Sequence, residues 1–167
     1  TQPIELLNIV KNLDLTVFGE NRIQEAQQKI PSFTDEIEWH LIGHLQTNKV
    51  KYINPYVSLI HAVDSLKLVQ EINKQALQQH RIIDCLVQIR ITQEETKYGM
   101  TLEESASMLH YISVNNFTAI RICGAMGLAT DTEDQNQVTK EFQYLTYSFH
   151  TLKNTFFQTS LYFSEIS

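Results

Sequence analysis

The sequence predicts an α/β fold of parallel strands joined by helical crossovers. Three observations carry that expectation: six short apolar runs rich in Ile and Val, amphipathic stretches between them, and steady alternation of the two along 167 residues. Near-continuous hydrophobicity over a strand length marks a strand covered on both faces, as in a parallel sheet flanked by helices. Alternation of this kind implies right-handed crossovers between successive strands.

The first element is a helix, opened by Pro3 with Thr1 before it as a cap. The strands expected after it are Leu15–Phe18, Trp39–Ile42, Leu59–Val63, Cys85–Ile91, Ala119–Met126 and Phe163–Ile166. Leu68, Val69, Ile72 and Ala76 recur at helical spacing after Asp64 and Ser65. Thr101 with Glu104 has the form of a capping box, in which hydroxyl and carboxylate cover orphan N–H groups, and Thr132 with Gln135 repeats it. Val138, Phe142, Leu145, Phe149 and Leu152 then mark one face of a long helix.

An open doubly wound sheet and a barrel both satisfy this order, and periodicity does not choose between them. A helix at residue 3 with no strand before it, and a strand at residue 166 with nothing after it, read as a domain trimmed at both ends. Adding a first strand and a last helix, strand and helix would give the eight strands of a (β/α)8 barrel. No linker interrupts residues 1–167, so a single domain is expected.

Composition narrows the function. A net charge of −6 without a basic stripe argues against nucleic acid, and the apolar runs are too short to span a membrane. Cys85 and Cys123 lie in apolar runs, which suggests buried thiols in a reducing compartment, hence the cytoplasm. No zinc-spaced Cys/His cluster is present, so no metal is expected.

Ligands gather at the carboxyl ends of strands in either closure. Those ends read Gly19-Glu20-Asn21-Arg22, Ile42-Gly43-His44, Val63-Asp64-Ser65, Ile91-Thr92-Gln93, Gly124-Ala125-Met126-Gly127 and Ser167. Polar groups beside glycines suit a small polar ligand, although tight turns at Gly19 and Gly43 and a helix cap at Asn21 explain the same residues. His40 lies inside a strand, turned to the opposite face from Trp39 and Leu41. Lys49 and Lys97 both sit in polar surroundings, which is wrong for a Schiff-base lysine that must be desolvated.

The segment Trp39-His40-Leu41-Ile42-Gly43-His44-Leu45-Gln46-Thr47-Asn48-Lys49 resembles the signature of the pyridoxal-phosphate homeostasis family. Phe18–Glu25, Ile60–Ser65 and Glu94–Gly99 resemble further hallmarks in the same order. Arg121–Met126 resembles the family's sixth strand, with Cys123-Gly124-Ala125-Met126 replacing the usual Arg-Gly-Leu-Met core. The resemblance implies a (β/α)8 barrel like the alanine racemase N-terminal domain, incomplete at both ends here. It also implies pyridoxal 5′-phosphate (PLP) held as a lysine aldimine, with the lysine immediately before Thr1 and so outside this chain. By the same resemblance Asn21 and His40 line the pocket near the ring, Met126 packs against the ring, and Ser167 donates toward the phosphate. Beside these roles stand plainer ones: a helix cap, an interior histidine, a core methionine and a strand-end serine. The implied function is PLP homeostasis by a monomeric carrier or regulator that serves PLP-dependent apoenzymes. The alternatives are an amino-acid racemase or lyase using His40 or Tyr98 as a second acid/base, and a barrel for a different phosphate ester.

Overall fold

A computed structural model of the chain describes residues 2–33, 37–94 and 97–167. The cap expected at Thr1, and Glu95 and Thr96 of the Glu94–Gly99 loop, lie outside the described residues. The elements run α1 (Ile4–Lys11), β1 (Val17–Glu20), α2 (Ile23–Lys29), β2 (Glu38–Leu41), α3 (Val50–Ile53), β3 (Val57–Val63), α4 (Leu66–Gln78), β4 (Ile83–Gln88), α5 (Leu102–Val114), β5 (Ile120–Met126), α6 (Gln135–Phe156) and β6 (Glu165–Ile166).

Every strand pairs in parallel with the next in sequence, in the order β1-β2-β3-β4-β5-β6. A doubly wound sheet reverses its strand order at a switch point. No reversal occurs among the described residues, so the winding is single and the doubly wound alternative is excluded. The sheet is also curved. From β3 to β6 is three strand spacings, about 14 Å in a flat sheet. The side chains of His61 on β3 and Ser167 just after β6 nevertheless meet at 3.0 Å. Their face is therefore concave, and the six strands form a half-barrel.

The two faces are built differently. Phe18, Trp39, Leu41, Ile60, Cys85, Val87 and Ile122 face the helices in the main core. Phe18, Phe33 and Trp39 close its β1–β2 end by edge-to-face packing, with centroids 5.6 to 5.8 Å apart. The concave face holds a smaller cluster of Ala62, Leu86, Cys123 and Met126, with Leu59 against it.

Helix starts follow local chemistry. Ser65 Oγ accepts from the Leu68 amide at 3.4 Å and starts α4, whose Leu68, Val69, Ile72 and Ala76 are buried. The capping box is complete: Thr101 Oγ1 accepts from the Glu104 amide at 3.1 Å, and Glu104 accepts from the Thr101 amide at 2.8 Å. The second expected box is not formed. Asp134, not Thr132, caps α6 by accepting from the amides of Asn136 and Gln137, because its carboxylate reaches both. Phe142 is exposed, while Leu145, Phe149 and Leu152 form the buried stripe.

Strand limits move where side chains serve another purpose. Leu15 is exposed before β1, which instead runs on to Glu20. Phe163 is fully buried outside the sheet, stacked on Phe149 and Phe157 with centroids 4.9 and 4.3 Å away, and only Glu165–Ile166 pair with β5. Ile89 makes a single bridge to Met100 beyond the end of β4.

The β5–β6 contact leaves no room for a side chain at Gly124, where a Cβ would lie 1.8 Å from the Glu165 carbonyl oxygen. Gly124→Ala is expected to cost about 1–3 kcal/mol by overpacking, read as a lowered urea midpoint. It should also speed hydrogen exchange at the Ser167 amide, which donates to Ala125 O at 3.1 Å. Unchanged stability and protection would show that β6 does not depend on this approach.

Candidate functional site

The carboxyl ends of five strands converge on one pocket of about 580 Å³, a volume typical of small-molecule sites. Asn21 and Arg22 reach it from the end of β1, Ile42, Gly43 and His44 from β2, His61 from β3, Met126, Gly127 and Leu128 from β5, and Ser167 from β6. Asn21, Met126 and Ser167 thus stand around one space, although 146 residues separate the first from the last (167 − 21). Met126 supplies an apolar wall and is itself buried. Ser167 is held by its backbone on both sides: its N–H donates to Ala125 O at 3.1 Å, and its carbonyl accepts from the Gly127 amide at 3.0 Å. Gly43 is required on steric grounds, since a Cβ there would lie 2.2 Å from the Asn21 carbonyl oxygen.

His40 does not line this pocket; it stands one hydrogen bond behind it. Trp39 and Leu41 point into the helix-side core, so alternation turns His40 to the concave face. Its Nε2 lies 3.2 Å from Glu38 Oε1, and its Nδ1 lies 3.2 Å from His61 Nε2. His61 continues the chain, with Nδ1 3.0 Å from Ser167 Oγ. His61 and Leu128 are pocket residues that sequence reasoning did not single out, and His61 is the polar one. Its signal was a histidine inside an apolar strand run, but a register irregularity in β3 obscures which face it takes.

Glu20, also at a strand end, is diverted. It is buried on the helix side, where it pairs with the buried Lys29. Asn21 caps no helix; Arg22 occupies the cap position of α2, without a side-chain cap bond. His44 bonds to Asp64 through Nδ1 at 3.2 Å and stacks on Tyr98 with centroids 3.8 Å apart. Lys97 is exposed and lies 3.8 Å from Glu94. Lys49 approaches the Tyr52 ring at 5.7 Å. Neither lysine lines the pocket. Among the described residues no three His, Cys, Asp or Glu side chains gather as a metal site.

Burial pushes the His61 imidazole down to about 4, and the neighbouring His40 adds to the effect. An imidazole that titrates lower in the folded than in the unfolded protein leaves the unfolded chain with more bound protons in between. Its stability contribution is therefore intact above 6.5 and is lost as pH falls toward about 4. The drop in urea-unfolding free energy across that window should be smaller in His61→Gln than in the unmodified protein. Equal drops would show that His61 is not the residue that resists protonation.

A family model described as "Alanine racemase, N-terminal domain" matches residues 3–162. Among curated relatives, the pyridoxal phosphate homeostasis protein of Aquifex aeolicus is 36% identical over 147 residues, covering 87% of this chain and 63% of the relative. That of Vibrio alginolyticus is 29% identical over 160 residues, covering 93% and 66%. The chain thus spans just under two thirds of the length of these relatives. PipY of Synechococcus elongatus, solved with PLP bound, superposes with a TM-score of 0.88 at 24% identity over 99% of this chain and 76% of PipY. The alanine racemase of Clostridium difficile 630 superposes with a TM-score of 0.77 at 16% identity over 98% of this chain and 44% of the racemase. These superpositions reproduce the parallel half-barrel, and the match across residues 3–162 shows that the chain belongs to the alanine racemase N-terminal domain family, among relatives named pyridoxal phosphate homeostasis proteins.

Proposed function

We propose that the six strands belong to a closed (β/α)8 barrel that binds PLP at its mouth and acts in cofactor homeostasis, as a carrier or regulator for PLP-dependent apoenzymes. The observation that carries this reading is the convergence of Asn21, Met126 and Ser167 from β1, β5 and β6 on a single pocket. Single winding and a concave inner face support the barrel.

The lining fits the cofactor's chemistry. A flat, apolar-faced ring with a polar edge and an anionic ester needs an apolar wall and polar groups around it. Met126, Ile42 and Leu128 supply the first, and Asn21, Arg22, His61 and Ser167 the second. PLP supplies a reactive aldehyde that a lysine amine can hold reversibly. That lysine is expected immediately before Thr1 in the full-length protein. Asn21 would orient the ring's polar edge, Met126 would cover a ring face and keep water from it, and Ser167 would bond the phosphate. His40 would act through His61 rather than touch the ring. We read the protein as a monomer. Among the described residues no helix is long and apolar enough to cross a membrane.

A carrier suits the geometry better than a racemase or lyase. Those enzymes need a second acid/base residue free to reach substrate. Both ring nitrogens of His40 are engaged, by Glu38 and His61, and neither His40 nor Tyr98 lines the pocket.

With full-length protein, added PLP should develop the absorption band of lysine-bound pyridoxal, and replacing the lysine before Thr1 should abolish it. Ser167→Ala should weaken PLP binding about tenfold or more, the worth of one hydrogen bond to a charged group. The reading fails if no band forms, or if sugar phosphates bind as tightly as PLP.

A further inference from the structure

We propose that Glu38, His40, His61 and Ser167 form a proton-counting relay, in which Ser167 can donate to an anion in the pocket only when the histidine pair takes up one proton. The proposal rests on the reading that this pocket takes a phosphate ester or a like dianion.

The links are unbroken along the concave face: Glu38 Oε1 to His40 Nε2 at 3.2 Å, His40 Nδ1 to His61 Nε2 at 3.2 Å, and His61 Nδ1 to Ser167 Oγ at 3.0 Å. A carboxylate only accepts, and a neutral imidazole has one donor and one acceptor nitrogen. Glu38 therefore sets every direction. His40 carries its hydrogen on Nε2, toward Glu38, and His40 Nδ1 accepts from His61 Nε2–H. His61 Nδ1 is left as an acceptor, and it takes the Ser167 hydroxyl hydrogen. In this state Ser167 turns lone pairs to the pocket, which disfavours an anion.

Reversal has a definite proton balance. For Ser167 O–H to donate to an anion, Ser167 Oγ accepts from His61 Nδ1–H, and His61 Nε2 must then accept from His40 Nδ1–H. His40 still needs Nε2–H toward Glu38. The resting chain holds three hydrogens on these atoms and the reversed chain four. The extra proton comes from solvent and leaves His40 as an imidazolium against the Glu38 carboxylate. Glu38 is about half exposed, so it offers an entry for that proton.

Other charges nearby are accounted for. Ser58 Oγ also donates to Glu38, at 3.1 Å. Asp84 of β4 and Arg121 of β5 neutralise one another as a two-toothed pair at 2.6 and 2.7 Å. Burial raises the Cys123 thiol to about 11, which keeps it protonated. Arg22 and His44 also line the pocket, and His44 is the rival proton acceptor. The depressed titration of His61 agrees with a resting relay that holds no positive charge.

The test uses full-length protein and sulfate, a dianion that does not itself titrate between pH 6 and 8. In the free protein, histidine nitrogen NMR should show His61 with Nδ1 unprotonated; a hydrogen on that atom overturns the relay. Sulfate titration in buffers of different ionisation enthalpy should show uptake of one proton per sulfate, with affinity falling about tenfold per pH unit above neutrality. In Glu38→Gln the side-chain amide can itself donate to His40 Nε2. The chain then reverses with no added proton, so uptake should vanish and the affinity should become independent of pH. Uptake that persists in Glu38→Gln assigns the proton to His44 and overturns the proposal, as does failure of sulfate to perturb Ser167. If sulfate behaves as expected but PLP does not displace it, the relay stands and the PLP reading falls.

Discussion

Curvature of the sheet is the constraint on which the site depends. Three flat strand spacings would hold β3 and β6 about 14 Å apart, beyond the reach of a histidine and a serine. Bending brings His61 and Ser167 to 3.0 Å. The last step of that bend needs the β6 backbone pressed onto Gly124, and the neighbouring loops need Gly43 to let the Asn21 carbonyl pass. Two glycines thus act by close approach of backbone rather than by unusual backbone angles.

The two faces of the sheet divide the work. The helix face is a continuous apolar core, and even its buried charge is paired, Glu20 with Lys29. Such a pair adds little net stability, because desolvation offsets its attraction, but removing one partner would strand a buried charge. The concave face carries polarity where side chains pair with one another. Glu38, His40, His61 and Ser167 satisfy one another in series. The cysteines follow the same division. Cys85 sits in the helix-side core and Cys123 on the concave face, and burial raises both thiols, which makes them poor nucleophiles.

The pocket is a property of spacing between strands rather than of any one motif. Its walls come from five strand ends, and backbone hydrogen bonds to Ala125 and Gly127 fix the serine at its edge. A mouth assembled this way places polar groups on a rigid frame, the arrangement that makes strand tops of parallel barrels good hosts for small anionic ligands.

The sequence by itself determined the alternation of strands and helices, the Ser65 and Thr101 starts, the core face of α4, and the turning of His40 away from Trp39 and Leu41. Each of these is a local matter, governed by periodicity or by bonds within one helical turn. Tertiary structure alone decided the rest. It chose single winding over double, drew Glu20 out of the site to Lys29, gave the α6 cap to Asp134, buried Phe163 in an aromatic stack instead of the sheet, and joined His61 to Ser167 across 106 residues. Those outcomes depend on which side chains meet across the fold, and neither spacing along the chain nor local propensity encodes the bend that makes them meet.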